Sequence, residues 1–424
     1  LADGTAQGEA RAAYERAQDA YEAALAAARG RFGRSFMEDQ PPNLDIAAVQ
    51  AALSPQEGWL AVMPAYSGAY LLAITRDQVV GVQAPIGRAA MIALANRLGT
   101  ALRAGSDDAE AARALAAAIF TPEIRAALSE IDTLGVFTNG PLASLPFATL
   151  RLASDTGATW LGDRFALTSL ATLDPRARDA GGAADGSSSL VAFAAPQPFG
   201  SAGSTQAAKQ AAIANYFTRG GIDTDQLSLL PRLRNAEREA HAVAQLFDPG
   251  RTSIVTGAAA SEPQVRSSQV ANADILLFAV HGLVAGEVEG LAQPSLVLAA
   301  PAGKADATET DGVLTAAEIA MLDLQADWVI LSSCNSAAGM TGGAAAFSGL
   351  ASAFRQAGAN TLLATHWPVR DDISAAIVTE TLRNFRAGMT KQAALQAAQR
   401  SVRQRADLPG ADAPWAWAPF VIVE

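Results

Sequence analysis

The chain has 424 residues, half of them hydrophobic, and a formal net charge of −11. This length predicts about two or three domains, and the apolar content is enough for large cores. The acidic charge argues against nucleic acid as a main partner, because binding to phosphate needs clustered cations. The long uncharged stretch 186–208 is interrupted by prolines, glycines and serines, so we expect no membrane span and no membrane partner.

The N-terminal part, 1–45, is predicted to be a helical segment. Apolar residues recur at helical spacing over 8–30, and Gly30 gives a stop signal. The chain starts at Leu1 with neither a methionine nor a signal-peptide pattern. We therefore expect it to be a piece of a longer protein.

Residues 46–180 are predicted to form an α/β subdomain. Apolar residues alternate over 58–82, with breaks at polar turns, which predicts short antiparallel strands. Helices are predicted over Arg88–Ala104 and Asp108–Phe120, and an apolar strand over Thr133–Phe137. This half contains no cysteine and no histidine.

The linker Asp174–Ser189 contains proline, glycines and three consecutive serines, and it marks the best internal boundary. The second domain is predicted over 187–424, where strands alternate with helices. This alternation predicts a mostly parallel sheet covered by helices on both faces. The predicted strands lie near 190, 252, 275, 296, 328 and 361, and the predicted helices near 206, 235, 263, 315, 345, 372 and 391.

Two of these strands end in residues that can do chemistry. One apolar run leads to Cys334, the only cysteine of the chain, and another leads to His281. In open α/β sheets catalytic groups gather beyond the carboxyl ends of the strands, so we expect this thiol and imidazole to face one crevice. A thiol of pKa near 8.5 is mostly protonated at neutral pH, and a neighbouring imidazole can generate the thiolate. Their separation, 334 − 281 = 53 residues, is close to the about 50 found in caspases.

Five sequence blocks, in matching order and spacing, give the chain a resemblance to a known family. It resembles the CHAT domain, a bacterial peptidase family related to caspases and separases. Weaker blocks at Asn139–Phe147 and Leu233–Ala240 extend the resemblance to roughly residues 50–424. The five blocks are Leu277–Gly282, Asp311–Ile319, Val329–Gly339, Trp367–Asp372 and Trp415–Val421.

The resemblance implies both a fold and a function. The fold would be a caspase-like α/β sheet, preceded by a pseudo-protease-like half and by a helix that ends a helical-repeat array of the tetratricopeptide type. The function would be that of a cysteine endopeptidase, cleaving a specific protein substrate under the control of an upstream repeat or regulatory protein. Because a single cysteine excludes a disulfide within the chain, we expect a reducing compartment, the cytoplasm. No cofactor and no metal are expected. The alternative is a catalytically silent scaffold for protein–protein interaction, and the presence of both His281 and Cys334 favours the enzyme.

The resemblance also assigns roles to residues. His281 and Cys334 would form the catalytic dyad, and the backbone amides of Gly282 and Cys334 would form the oxyanion hole. Glycine suits a close approach of backbone to substrate, because it has no side chain. Family members often carry an acidic residue and a threonine directly after the cysteine, where this chain has Asn335 and Ser336. The dyad residues are both present, but the residues next to the cysteine that could contact substrate differ from the family pattern.

Four further residues are candidates for substrate binding: Asp311, His366, Asp371 and Asp372. Relatives that cut after basic residues place a carboxylate in the first specificity pocket, which leads us to expect a basic P1 residue. Other interpretations remain open, since Asp311 suits a turn and the other two aspartates suit a helix cap. His366 follows the strand predicted to end at Ala364, and it is either a rival base, a substrate contact or a structural residue.

Several other features favour structural interpretations. The run Thr315–Glu318 is typical of a capping box, and His241 is expected to be solvated in mid-helix. Three dispersed histidines and one cysteine give no zinc spacing. The glycine-rich run 339–349 lacks the Lys-Ser/Thr of a phosphate-binding loop. A serine hydrolase using Ser332 or Ser333 is disfavoured because no Gly-x-Ser-x-Gly elbow is present.

Overall fold

The computed structural model describes 44–65, 68–154, 157–175, 188–197, 235–283, 293–299, 311–332, 343–367 and 369–424, with residues 227, 230, 233 and 291. Residues Ala48–Glu424 form one compact unit. The helix predicted over 8–30, the helix near 206 and most of the predicted linker lie outside the described residues. So do Cys334 and the glycine-rich segment that follows it, apart from the backbone at 343–348.

The strands β1–β16 follow the hydrophobic runs of the sequence. They are β1 Glu57–Ala65, β2 Gly68–Thr75, β3 Val79–Gln83, β4 Thr133–Thr138, β5 Arg151–Ser154, β6 Gly157–Trp160, β7 Ala166–Leu170, β8 Leu190–Pro196, β9 Thr252–Gly257, β10 Ile275–Ala279, β11 Gly282–Leu283, β12 Ser295–Val297, β13 Val313–Thr315, β14 Trp328–Leu331, β15 Thr361–Thr365 and β16 Phe420–Val423.

The helices are numbered α1–α13 in chain order. They are α1 Ile46–Ala52, α2 Arg88–Arg103, α3 Ala109–Ile119, α4 Pro122–Ala127, α5 Leu161–Arg164, α6 Ala236–Ala244, α7 Glu262–Val265, α8 Ser268–Ala271, α9 Ala316–Ile319, α10 Gly343–Gln356, α11 Asp371–Arg386, α12 Lys391–Arg403 and α13 Pro414–Trp417. No helix in the described part of the chain is long and apolar enough to cross a bilayer.

An 11-stranded sheet runs through both halves in the order β3-β2-β1-β4-β7-β16-β15-β14-β10-β8-β9. Most neighbouring pairs are parallel, and antiparallel pairing is confined to β3-β2-β1 and to β16-β15. The strands from β15 to β9 therefore run in one direction and share one carboxyl-end edge. Strand β16, the last of the chain, joins the halves by pairing with β7 on one side and β15 on the other. The predicted mostly parallel α/β fold is confirmed.

A second, three-stranded antiparallel sheet stands beside this edge. Its order is β11-β12-β13, and β11 begins directly after His281. The strand predicted near 296 is therefore present as β12, but it belongs to this small sheet and not to the main one.

The second half is layered as the sequence predicted, with a core on each face of the sheet. Successive residues of β10 pack on opposite faces of the sheet. Leu277 lies in the core that contains α6, α11 and α12, and Phe278 lies in the core that contains α10. Phe278 stacks on Phe193 with ring centroids 5.2 Å apart. The first half has its own core, into which Trp367 inserts from the end of β15. The two halves are thus joined by packing as well as by the sheet.

Candidate active site

The neighbouring strands β10, β14 and β15 bring three chemically interesting positions to one edge of the sheet. They are parallel and in register, with Phe278 paired to Leu331 and Ile330 paired to Leu363. His281 follows β10, Ser332 follows β14 and His366 follows β15. Two residues after Ser332 the sequence reaches Cys334.

His281 is held by the small sheet. It is 7% exposed, and its backbone carbonyl oxygen accepts a hydrogen bond from Val297 N–H at 2.8 Å. Gly282 is paired with Leu296 in the next position. The hydrogen bond between His281 and Val297 joins the two residues next to this pair. In an antiparallel ladder Gly282 and Leu296 are therefore a non-hydrogen-bonded pair, and the N–H of Gly282 points away from β12.

Ser332 is tied to its surroundings by its backbone and its side chain. Its N–H donates to Phe278 O at 3.1 Å, and its hydroxyl donates to the Glu239 carboxyl. The Ser374 hydroxyl donates to the Ser332 carbonyl oxygen. Ser332 is 2% exposed, and its N–H, its carbonyl oxygen and its hydroxyl all form hydrogen bonds. It is therefore unsuited to attack a substrate.

Glu239 is a residue of this edge that the sequence reasoning missed. It is 3% exposed, and burial raises the pKa of its carboxyl to about 8, with the charge of Asp371 adding to the rise and the Ser332 hydrogen bond opposing it. A signal for it exists in the sequence. The buried residues of α6 are Ala236, Glu239, Ala240 and Val243, so the glutamate occupies the apolar stripe of an otherwise amphipathic helix.

His366 is buried at the end of β15 and packs beside Trp367, and its backbone N–H donates to Pro419 O at 3.0 Å. Burial and the nearby charge of Arg103 lower the pKa of its ring to about 4. The ring lines a cavity between the two halves, together with Thr138, Phe147, Thr168, Gln399 and Phe420. This environment disfavours an imidazolium, so His366 is poorly suited to the role of rival base. Its predicted contact with substrate stays a prediction.

Asp311 lies in the turn that the sequence predicted. Its Oδ1 accepts a hydrogen bond from Val313 N–H at 2.8 Å, and Gly312 adopts a φ of +88°. The N–H of Gly312 donates to Oε1 of Glu262 at 2.7 Å. Glu262 is almost fully buried, and burial raises the pKa of its carboxyl to about 7. This second buried glutamate, also missed by the sequence reasoning, anchors the turn that leads into β13.

The capping interpretation of Asp371 is wrong. Arg370 takes the N-cap position of α11, and Oδ2 of Asp371 accepts the N–H of Asn235 at the start of α6 instead, at 2.6 Å. Asp372 accepts the N–H of Ile373 and forms an ion pair with the Arg370 guanidinium. Both carboxylates are therefore already engaged with groups of the protein.

The structural interpretations of two other motifs are confirmed. Thr315 and Glu318 form a capping box at the start of α9, with reciprocal side-chain to backbone hydrogen bonds. His241 is exposed on α6. Within the described ranges, no three His, Cys, Asp or Glu side chains come together as a metal-binding group.

Comparison with known proteins identifies the family. Two solved structures that the chain resembles are Saccharomyces cerevisiae separase–securin complexes, with TM-scores of 0.48 and 0.44 and identities of 9% and 10%. Each match covers 89% of this chain and 30% of the other, so the chain spans less than a third of their length. No curated protein sequence matches. A family model described as the CHAT domain matches residues 109–424, well over half of the chain. The chain therefore belongs to the CHAT domain family.

Proposed function

We propose that the protein is a cysteine endopeptidase in which His281 activates Cys334. The observation that carries the proposal is the register of β10 and β14. Phe278 pairs with Leu331, and three residues further along each chain the sequence reaches His281 and Cys334. Family membership points to the same pair.

In the proposed reaction, His281 takes the proton of the Cys334 thiol, and the thiolate sulfur attacks the carbonyl carbon of the scissile peptide bond. The imidazolium then protonates the departing amine, and the C–N bond breaks to leave a thioester. Water attacks the thioester as His281 accepts its proton, which releases a carboxylic acid and restores the thiol.

The negative oxygen of the tetrahedral intermediate needs backbone donors. The N–H of Gly282 is suitable, because it points away from the small sheet, and the amide of Cys334 is proposed as the second donor. Loss of one such donor typically costs about 3 kcal/mol of transition-state stabilisation.

A specific protein substrate with a basic P1 residue is part of the proposal. Asp311 is the best candidate for the acidic group because it is exposed, although its Oδ1 accepts the N–H of Val313. Asp371 and Asp372 are partly buried and accept hydrogen bonds from Asn235 and Arg370. A peptide-library profile should show Arg or Lys at P1 and should change with Asp311→Asn. A profile dominated by Asp or apolar P1 residues would overturn this assignment.

An upstream repeat or regulatory protein is proposed to control access to the site. The reaction needs a reduced thiol, which a reducing compartment such as the cytoplasm provides. Peptide cleavage by this chain, measured alone and after addition of the candidate upstream protein, would test this control.

The test of the dyad is alkylation of the native protein with iodoacetamide over a range of pH, followed by mass spectrometry. Cys334 is the only cysteine, so the label reports one site. Rapid labelling at neutral pH that collapses in His281→Ala, but not in His241→Ala, is expected. His241 is a matched control because it is exposed on α6.

A labelling midpoint near 8.5 that His281→Ala leaves unchanged would mean that no activated thiolate exists. The silent scaffold would then be the better description. Cleavage of peptides by the wild type but not by Cys334→Ala would complete the case for the enzyme.

A further inference from the structure

We propose that Glu239 is a positioning residue, which holds the end of β14 through Ser332 and thereby places Cys334 for activation by His281. The inference rests on the proposed function. Neither the sequence motifs nor the proposed dyad chemistry gives Glu239 a role.

The first argument is the way in which Ser332 is fixed. Its N–H bonds to β10 at Phe278, its carbonyl oxygen accepts the Ser374 hydroxyl from α11, and its own hydroxyl reaches Glu239 on α6. Three different elements thus hold one residue. Only two residues further along the sequence stands Cys334, a span of at most about 7 Å of extended chain. We therefore expect a shift of Ser332 to change the reactivity of the thiol.

The second argument is the chemistry of the groups around the carboxyl. The Ser332 hydroxyl donates to it from the end of β14, and the charge of Asp371 on α11 acts on it. The hydroxyl of Ser374, also on α11, contacts the Ser332 hydroxyl. Because burial raises its pKa to about 8, the carboxyl is largely neutral at pH 7. A neutral carboxyl can accept the Ser332 hydrogen bond without leaving an unpaired charge in the core.

The third argument is the cost of having a glutamate here at all. Its neighbours on the stripe, Ala240 and Val243, are apolar and pack into the core of this face. If packing were the sole requirement, an apolar side chain would meet it without burial of a polar group. The carboxyl therefore indicates a requirement for the hydrogen bond to Ser332.

The test uses Glu239→Leu, which removes the acceptor, and Glu239→Gln, which keeps one. Iodoacetamide labelling of Cys334 at pH 7 is measured for each variant, in the wild-type and in the His281→Ala background. Loss of one buried hydrogen bond of about 1.4 kcal/mol corresponds to about a tenfold slower labelling in Glu239→Leu. Glu239→Gln should stay within about threefold of the wild type.

The two backgrounds separate positioning from a general structural effect. If Glu239 acts by bringing the thiol to His281, Glu239→Leu should slow labelling in the wild type and have no further effect in His281→Ala. Glu237→Gln, on the exposed side of α6, is the control and should label as the wild type does. Wild-type labelling of Glu239→Leu, or an equal slowing in both backgrounds, would overturn the proposal.

If His281→Ala labels as fast as the wild type, the proposed dyad is wrong and labelling no longer tests Glu239. A second measurement covers this case. Hydrogen exchange of the peptide containing Ser332 should then be at least about tenfold faster in Glu239→Leu but not in Glu239→Gln. Exchange of β15 should be unchanged in both. Equal exchange of the Ser332 peptide in both variants would overturn the positioning role independently of the proposed function.

A further variant separates the loss of positioning from a loss of folding. Glu239→Leu also leaves the Ser332 hydroxyl without its acceptor, so the double variant Glu239→Leu/Ser332→Ala, which removes both partners, is measured too. This variant is expected to fold and to label as slowly as Glu239→Leu. Fast labelling in a folded double variant would contradict the proposal.

Discussion

The backbone carbonyl oxygen of His281 accepts a hydrogen bond from the N–H of Val297, with 2.8 Å between the two atoms. Val297 ends β12, the middle strand of the small sheet, and β13 beside it follows the turn anchored by Glu262. The segment that carries the proposed base is therefore positioned by the small sheet as well as by β10.

The buried carboxyl of Glu262 should make stability depend on pH. Its pKa in the folded protein is raised to about 7, whereas a glutamate in the unfolded chain titrates near 4.3. Between these values the folded protein holds a proton that the unfolded chain has released, so stability falls as the pH rises through this window. We expect urea unfolding at about pH 5, 6 and 8 to show this fall in the wild type and a smaller one in Glu262→Gln. If the free energies of unfolding of the two proteins differ by the same amount at every pH, the predicted role of Glu262 in the pH dependence is wrong.

Two glycines offer a matched test of backbone packing. Gly358, before β15, has a φ of +108°, and a Cβ added there would lie 2.2 Å from the backbone oxygen of Leu324. Gly388 has a similar φ of +96° but no atom within 4 Å of an added Cβ. Gly358→Ala should therefore lower the free energy of unfolding by at least about 2 kcal/mol more than Gly388→Ala. Equal losses in denaturant titrations would show that the clash relaxes.

Lys391 ties together the amino ends of β14 and β15. Its Nζ lies 2.7 Å from Asp327 Oδ1 and 3.0 Å from Thr361 Oγ1, and the residue is 6% exposed. Lys391→Met should cost about 2 kcal/mol of stability, because it leaves the Asp327 carboxylate without its cation. The exposed pair of Arg405 and Asp407 is the control, and Arg405→Met should cost less than about 1 kcal/mol.

The losses of stability in Lys391→Met and Arg405→Met are compared by chemical unfolding at neutral pH. Labelling of Cys334 in folded Lys391→Met should match the wild type, since Lys391 lies at the opposite end of the strands from His281. A loss no greater than that of Arg405→Met would contradict the assignment of Lys391 as a buried anchor.

His366 should remain neutral across the physiological range. Burial and the charge of Arg103 lower its pKa to about 4, from about 6.5 in an unfolded chain. The unfolded chain therefore binds a proton that the folded protein does not, and stability is lost as the pH falls from about 6.5 towards about 4. An NMR titration should show no midpoint for the His366 ring above about pH 5. A midpoint near 6 would restore His366 as a candidate base.

The sequence by itself determined the local elements and the family pattern. The helix predicted over Arg88–Ala104 is observed over Arg88–Arg103, and Thr315–Glu318 forms the predicted capping box. Such features depend on apolar periodicity and on hydrogen bonds between residues a few positions apart, which a sequence displays directly. The ends of β10 and β14, and hence the candidate dyad, followed from the same short-range signals.

Only the tertiary structure decided how these elements are combined. Strand β16 lies between β7 and β15 and makes one sheet of two predicted halves. Asp371 bonds to Asn235, 136 residues away, and Glu239 accepts a hydrogen bond from Ser332, 93 residues away. Sheet order and the burial of an ionisable residue depend on which surfaces meet after folding, and local periodicity does not specify that choice.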